Sequence, residues 1–184
     1  MNYNGPASPL DIARLFVLRI LTLGIVWDAT ENTKYRDRLK IEVLAVCDFP
    51  DWLGDQFLVT AEMSFGAAVG YDWLFNELTE AERGQIADAI LKKGIAPGRA
   101  QFAATPPAHW TVERMNWNLV CNGALMIAAL SVVEADQKTA SNIFSLCRSS
   151  IDQGFSLYNP DGGWIEGPGY WHYATQYTVS WSTA

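Results

Sequence analysis

Phe57-Leu-Val-Thr-Ala-Glu-Met-Ser-Phe-Gly-Ala-Ala-Val-Gly-Tyr-Asp-Trp-Leu-Phe-Asn-Glu-Leu78 decides the fold class. It is apolar on nearly every side at helical spacing, the pattern of a helix buried on several sides. Thr79-Glu80-Ala81-Glu82 follows at once. An N-cap hydroxyl with an acid three residues later is a capping box, so a new helix starts there. That helix is amphipathic, with Ile86, Ala87, Ile90 and Leu91 on one face, and Gly94 is expected to end it. An all-round-apolar helix joined by a short connection to an amphipathic one reads as an inner helix paired with an outer, antiparallel one.

The same alternation extends in both directions. Ser8-Pro9-Leu10-Asp11 combines an N-cap, a proline at the first helical position and an acid in the first turn, which predicts a helix to about Ala29. A second helix is expected over Asn32 to Cys47, with Leu39, Val43 and Val46 on one face and Phe49-Pro50-Asp51 as its break. Pro97 to Met115 reads as a long loop, and long loops in compact domains tend to be functional. Asn116 to Glu134 and Gln137 to Tyr158 read as two more helices, and another starts near Tyr170. No run argues for a strand. The expected fold is all-α, about six or seven helices in antiparallel pairs, a helical bundle or a curved array of αα pairs.

Composition narrows the function. The chain has 184 residues, 49% of them hydrophobic and 18% charged, which suits one well-buried domain. A net charge of −7 with no basic cluster gives no support for nucleic-acid binding. Phe16 to Trp27 is apolar but interrupted by Arg19, and Leu119 to Val133 contains Asn122; both are too short to span a membrane. No secretory signal is visible. Cys47, Cys121 and Cys147 sit among apolar residues and read as buried thiols. Two histidines and three cysteines at these spacings make no metal site, and no cofactor is expected.

The chemistry concentrates in Asn159-Pro-Asp-Gly-Gly-Trp-Ile-Glu-Gly-Pro-Gly-Tyr-Trp-His-Tyr173. This Gly/Pro loop gathers a potential acid or base (Tyr170), a histidine (His172), two carboxylates (Asp161, Glu166) and sugar-sized aromatic faces (Trp164, Trp171). Across the chain, Asn116 and Asn118 begin an apolar helix whose free N–H groups would favour an anion; one of the two also reads as a plain N-cap. In the loop before that helix lie His109, with Trp110 beside it as a candidate sugar platform, and Arg114, which could pair with a substrate carboxylate or sulfate; Trp117 is a further platform candidate. Each aromatic is read with core packing as its alternative, and Tyr170 likewise as a helix-start core aromatic. Asp161 and Glu166 keep a glycoside hydrolase open, since two carboxylates flanking a sugar bond are hydrolase machinery.

Three segments together resemble one family. Gly70-Tyr-Asp-Trp-Leu-Phe-Asn-Glu-Leu-Thr-Glu-Ala-Glu-Arg83, Asn116-Trp-Asn-Leu-Val-Cys-Asn-Gly-Ala124 and Pro160-Asp-Gly-Gly-Trp-Ile-Glu-Gly-Pro-Gly-Tyr-Trp-His-Tyr173 are similar, in order and separation, to segments of heparinase II/III-like polysaccharide lyases. The resemblance implies an (α/α) toroid, here a partial one, that cleaves acidic, uronate-containing polysaccharide by β-elimination, as in glycosaminoglycans or alginate. It implies a periplasmic or secreted location. In the family a β-sandwich follows the toroid and contributes another catalytic histidine; this chain has no such region, so it is expected to be part of a larger lyase. On this resemblance Tyr170 matches the catalytic tyrosine, and Asn118, or else Asn116, neutralises the substrate carboxylate, with His109 a further catalytic candidate. Trp110, Trp117, Arg114, Trp164, Glu166, Trp171 and His172 are candidate substrate contacts. A half toroid would leave apolar surface uncovered, for example along Leu119–Val133, and favour self-association into a homo-oligomer or docking on a partner segment. A non-catalytic carbohydrate-binding remnant is the remaining alternative.

Overall fold

The computed structural model describes residues 8–184. Among the described residues it is all-helical, with no strand. The elements are α1 (Pro9–Thr30), α2 (Thr33–Cys47), α3 (Phe57–Leu74), α4 (Glu80–Ala89), α5 (Ala96–Ala103), α6 (His109–Val112), α7 (Asn116–Ser131), α8 (Gln137–Ser150), α9 (Asp152–Phe155) and α10 (Pro168–Ser182). The expected capping box at Thr79 and Glu82 forms, and the expected N-cap Ser8 forms one too, with Asp11.

The helices stand in two rows. α1, α3, α7 and α10 pack on one another in that order, and α2, α4 and α8 pair with members of that row from outside. The first row runs parallel. Gly66 lies against Phe16, Gly70 against Ile20, and Gly24 against Trp73, so residue numbers rise together along α1 and α3. The missing side chain is what permits the approach: a Cβ at Gly66 would sit 2.6 Å from the Phe16 ring. In the same sense Asn116 of α7 meets Glu166 just before α10, and Gly123 meets Tyr177 and Trp181 further along. The N-termini of α1, α3, α7 and α10 therefore gather at one end of the molecule.

α3 is buried along most of its length, as its pattern requires. Its flanks are fastened to α2 by Trp52, whose indole donates to Val46 O while Thr60 Oγ1 donates to Trp52 O. Lys93 donates to the carbonyls of Cys47 and Phe49, closing the C-terminus of α2.

Four expectations from the sequence change. Gly94 does not end a helix. Residues Ile90–Ile95 form a π-helical turn that carries α4 straight into α5, with Ala96 N–H reaching Leu91 O. A Cβ at Gly94 would meet Ser64 Oγ at 2.4 Å, so this glycine serves close packing on α3. Pro97, with no N–H to donate, is tolerated where the turn is already widened. The expected loop over Pro97–Met115 is accordingly half helical. The helix read to Tyr158 breaks at Ile151, because the chain bends for Gly154 N–H to donate to Asn118 Oδ1. Finally, Leu119–Val133 is mostly covered. Its exposed members are Leu130 and Val133, and Leu15, Leu18 and Ile25 form a further exposed apolar set on α1.

No helix among the described residues is long and apolar enough to cross a membrane. Cys47, Cys121 and Cys147 are buried free thiols.

Candidate active site

The loop leading into α7 and the loop leading into α10 converge at the N-terminal end of the inner row, and one side chain joins them. Glu166 accepts from Asn116 N–H at 2.8 Å and from Asn116 Nδ2 at 2.8 Å, and takes the Trp164 indole N–H at 3.1 Å. A second tie runs from Arg114 Nε to Ser156 Oγ at 2.7 Å. Within the later loop, Trp171 donates its indole N–H to Gly162 O, and Gly163 N–H closes on Asp161 Oδ1. Gly167, at a φ of 93° that disfavours other residues, turns the chain into α10.

This geometry revises the asparagines. Neither is an N-cap: Met115 holds that position without a side-chain bond. The first N–H of α7, that of Asn116, is instead met by Glu166, an acid fifty residues away, as a helix N-terminus favours. The slot read as open to a substrate carboxylate thus holds the chain's own. Asn116 is buried, and its Oδ1 has no hydrogen-bond partner among the described residues. Asn118 is committed to the core: its Nδ2 donates to Trp110 O and to Ser150 O and Oγ, and its Oδ1 accepts from Gly154 N–H. No donor remains on Asn118 for a sugar.

Trp110 likewise has no free face. It is fully buried, stacked on Phe57 at 4.8 Å and edge-on to Phe102 at 5.3 Å. The expected sugar platform is a core anchor. Its neighbour His109 is exposed and leans on the half-buried Trp117 at 5.2 Å. Trp164 is half-buried against Tyr158, and Trp171 is 39% exposed. His172 is exposed and bonds Gln176 at 2.7 Å.

Tyr170 is 51% exposed on the first turn of α10. It shares an open depression of about 300 Å³ with Gly169, Tyr173 and Arg14. Arg14 belongs to a cluster that the sequence reading missed. Glu62, buried on α3, accepts from Tyr173 Oη at 2.5 Å and from Tyr177 Oη, and Arg14 Nε approaches its Oε1 at 3.5 Å. The Arg14 guanidinium lies over the Tyr173 ring, 4.9 Å from its centre. Burial first, and then the Glu62 carboxylate, push the Tyr173 and Tyr177 hydroxyls far above the usual phenol range. These two tyrosines therefore stay protonated as donors to Glu62. The available signal was a lone acid in the apolar first half of α3, which demands a buried partner.

The chain matches no protein-family model and none of the curated proteins with which it was compared. Among the described residues, no group of three or more His, Cys, Asp or Glu side chains could hold a metal ion.

Proposed function

We propose that this chain is a uronate-polysaccharide lyase, or the part of one that carries its tyrosine, acting by β-elimination from a partial (α/α) toroid. The observation that carries the reading is the position of Tyr170. It stands half-exposed beside an open depression, at the end of the inner helix row where the Pro106-Pro107 loop and the Gly/Pro loop before α10 are tied by Glu166 and Asn116. The resemblance of the three sequence segments to heparinase II/III-like lyases supplies the reaction class. Parallel inner helices backed by antiparallel outer ones are compatible with a toroid segment.

The chemistry asks little machinery of the protein. The proton at C5 of the uronate is removed, the C4–O4 pair leaves with O4, a C4=C5 double bond forms, and the leaving oxygen takes a proton. In this reading Tyr170 is the group at that oxygen and carbon. Asn116, buried beneath the loop, holds Glu166 in place and does not touch the sugar. Trp171 and the exposed edge of Trp164 flank the sugar, with His109 and Trp117 further along the polymer path.

The site carboxylates weigh against hydrolysis. Glu166 spends both oxygens on Asn116, and Asp161 closes a turn onto Gly163 N–H; a hydrolytic pair needs one carboxyl free to protonate and one free to attack or activate water. Incubation with uronate polymers, followed by near-UV absorbance and by reducing ends, tests the proposal. A lyase raises both signals together. A rise in reducing ends alone identifies a hydrolase, and no rise in either defeats catalysis by this chain.

A further inference from the structure

Elimination needs hydrogen-bond donors or positive charge at the uronate carboxylate, because the charge developing at C5 delocalises into it. The α7 N-terminus is taken by Glu166, Asn118 is locked in the core, and Arg114 turns onto Ser156 and does not line the Tyr170 depression. One cation lines the depression that contains Tyr170, and it comes from the far side of the site, on α1.

Resting on the reading of Tyr170 given above, we propose that Arg14 binds the carboxylate of the uronate on which Tyr170 acts. Its guanidinium is held from two directions: Nε faces Glu62 Oε1 at 3.5 Å, and the plane rests over the Tyr173 ring. The side chain is 46% exposed, Nε is the nitrogen that meets Glu62, and the Tyr173 side chain is its other partner. Two parallel N–H donors on a fixed plane match a carboxylate in the bidentate manner.

The support behind Arg14 suits this task better than a purely structural ion pair would. Glu62 already takes the hydroxyls of Tyr173 and Tyr177, so it does not depend on Arg14 for its hydrogen bonds. The contact from Arg14 to Glu62 is long and runs through Nε. A half-exposed pair of this kind adds little stability. What it fixes is direction. The arrangement also places a local cation in an acidic chain of net charge −7, as a polyanion substrate requires.

The test compares the wild type with Arg14→Gln, Arg14→Lys and Tyr170→Phe. Each is titrated at low salt with a polyuronate and with the same polymer after carboxyl reduction to the neutral sugar, and turnover is followed in the near-UV. The wild type is expected to prefer the acidic polymer by about tenfold or more. Arg14→Gln should bring that ratio close to one and lower kcat about a hundredfold, with its helicity and denaturation midpoint little changed. Arg14→Lys should recover part of the charge preference but little of the turnover, since a point charge replaces a fork. Tyr170→Phe should keep the preference and lose the turnover. If the wild type cleaves and Arg14→Gln keeps both preference and kcat, the role of Arg14 is refuted while the lyase stands. If the wild type binds without cleaving and Arg14→Gln loses the preference, the carboxylate site stands and the lyase reading falls. No binding and no cleavage by the wild type overturns both.

Discussion

Replacing Tyr177 by Phe removes one oxygen from the polar cluster around the buried Glu62. Its hydroxyl donates to Glu62 Oε2, and that oxygen has no other hydrogen-bond partner among the described residues; Glu62 Oε1 is served by Tyr173 and Arg14. A hydrogen bond to a charged group contributes about 1.5–3 kcal/mol. Because the orphaned Oε2 stays buried, the cost should fall in the upper half of that range, about 2–3 kcal/mol. Tyr173→Phe should cost less, about 1–2 kcal/mol, since Arg14 remains on Oε1. Denaturant unfolding followed by helical circular dichroism reads both, and in a thermal scan Tyr177→Phe should lower Tm by roughly 4–12 °C. The deficit should also depend on pH. Both hydroxyls are raised in the fold, so the stability they contribute is full below the unfolded phenol value near pH 10 and is lost as pH rises above it. Each tyrosine gives up roughly 1.4 kcal/mol per pH unit there. Burial raises the three thiols as well, Cys47 to about 12, and they steepen the alkaline limb of every variant equally. The gap between wild type and Tyr177→Phe should therefore narrow above pH 10. A variant within 0.5 kcal/mol of wild type (about the scatter of an ordinary surface change), or a Tyr173→Phe that costs more than Tyr177→Phe, would refute the clamp.

Asn118→Ala should destabilise by about 3 kcal/mol, because it strands Gly154 N–H and removes donors from Ser150 and Trp110; a loss under 1 kcal/mol in denaturant titration would contradict its core role. Gly123→Ala should cost about 1–3 kcal/mol, since its Cβ would lie 3.0 Å from Tyr177 O and force α10 off α7; an unchanged midpoint would show that α10 shifts freely. All three thiols should resist alkylation at neutral pH until the chain unfolds, because each is buried and its thiolate is disfavoured. Rapid labelling of the native chain, read by mass spectrometry, would contradict that burial.

Local signals were legible in the sequence and tertiary ones were not. Ser8 with Asp11 and Thr79 with Glu82 announce their helices because a capping box closes within four residues. The apolar coat of Phe57–Leu74 announces burial for the same reason. Gly94 misleads because its place is set by Ser64 and Trp52, far away in sequence. Trp110 and Asn118 carry functional chemistry on paper, and only the stacking on Phe57 and the bond to Gly154 show that it is spent. Glu166 reads as a loop carboxylate until Asn116 is seen beneath it. The Arg14–Glu62 cluster spans three helices, so no window of sequence contains it.

The most direct test of the central claim is the near-UV absorbance produced from a uronate polymer by the wild type and by Tyr170→Phe, with polymer binding measured in parallel. The account predicts unsaturated product from the wild type, and from Tyr170→Phe binding that is nearly unchanged with turnover abolished. Full lyase activity in Tyr170→Phe, or no unsaturated product from the wild type on any uronan, would contradict it.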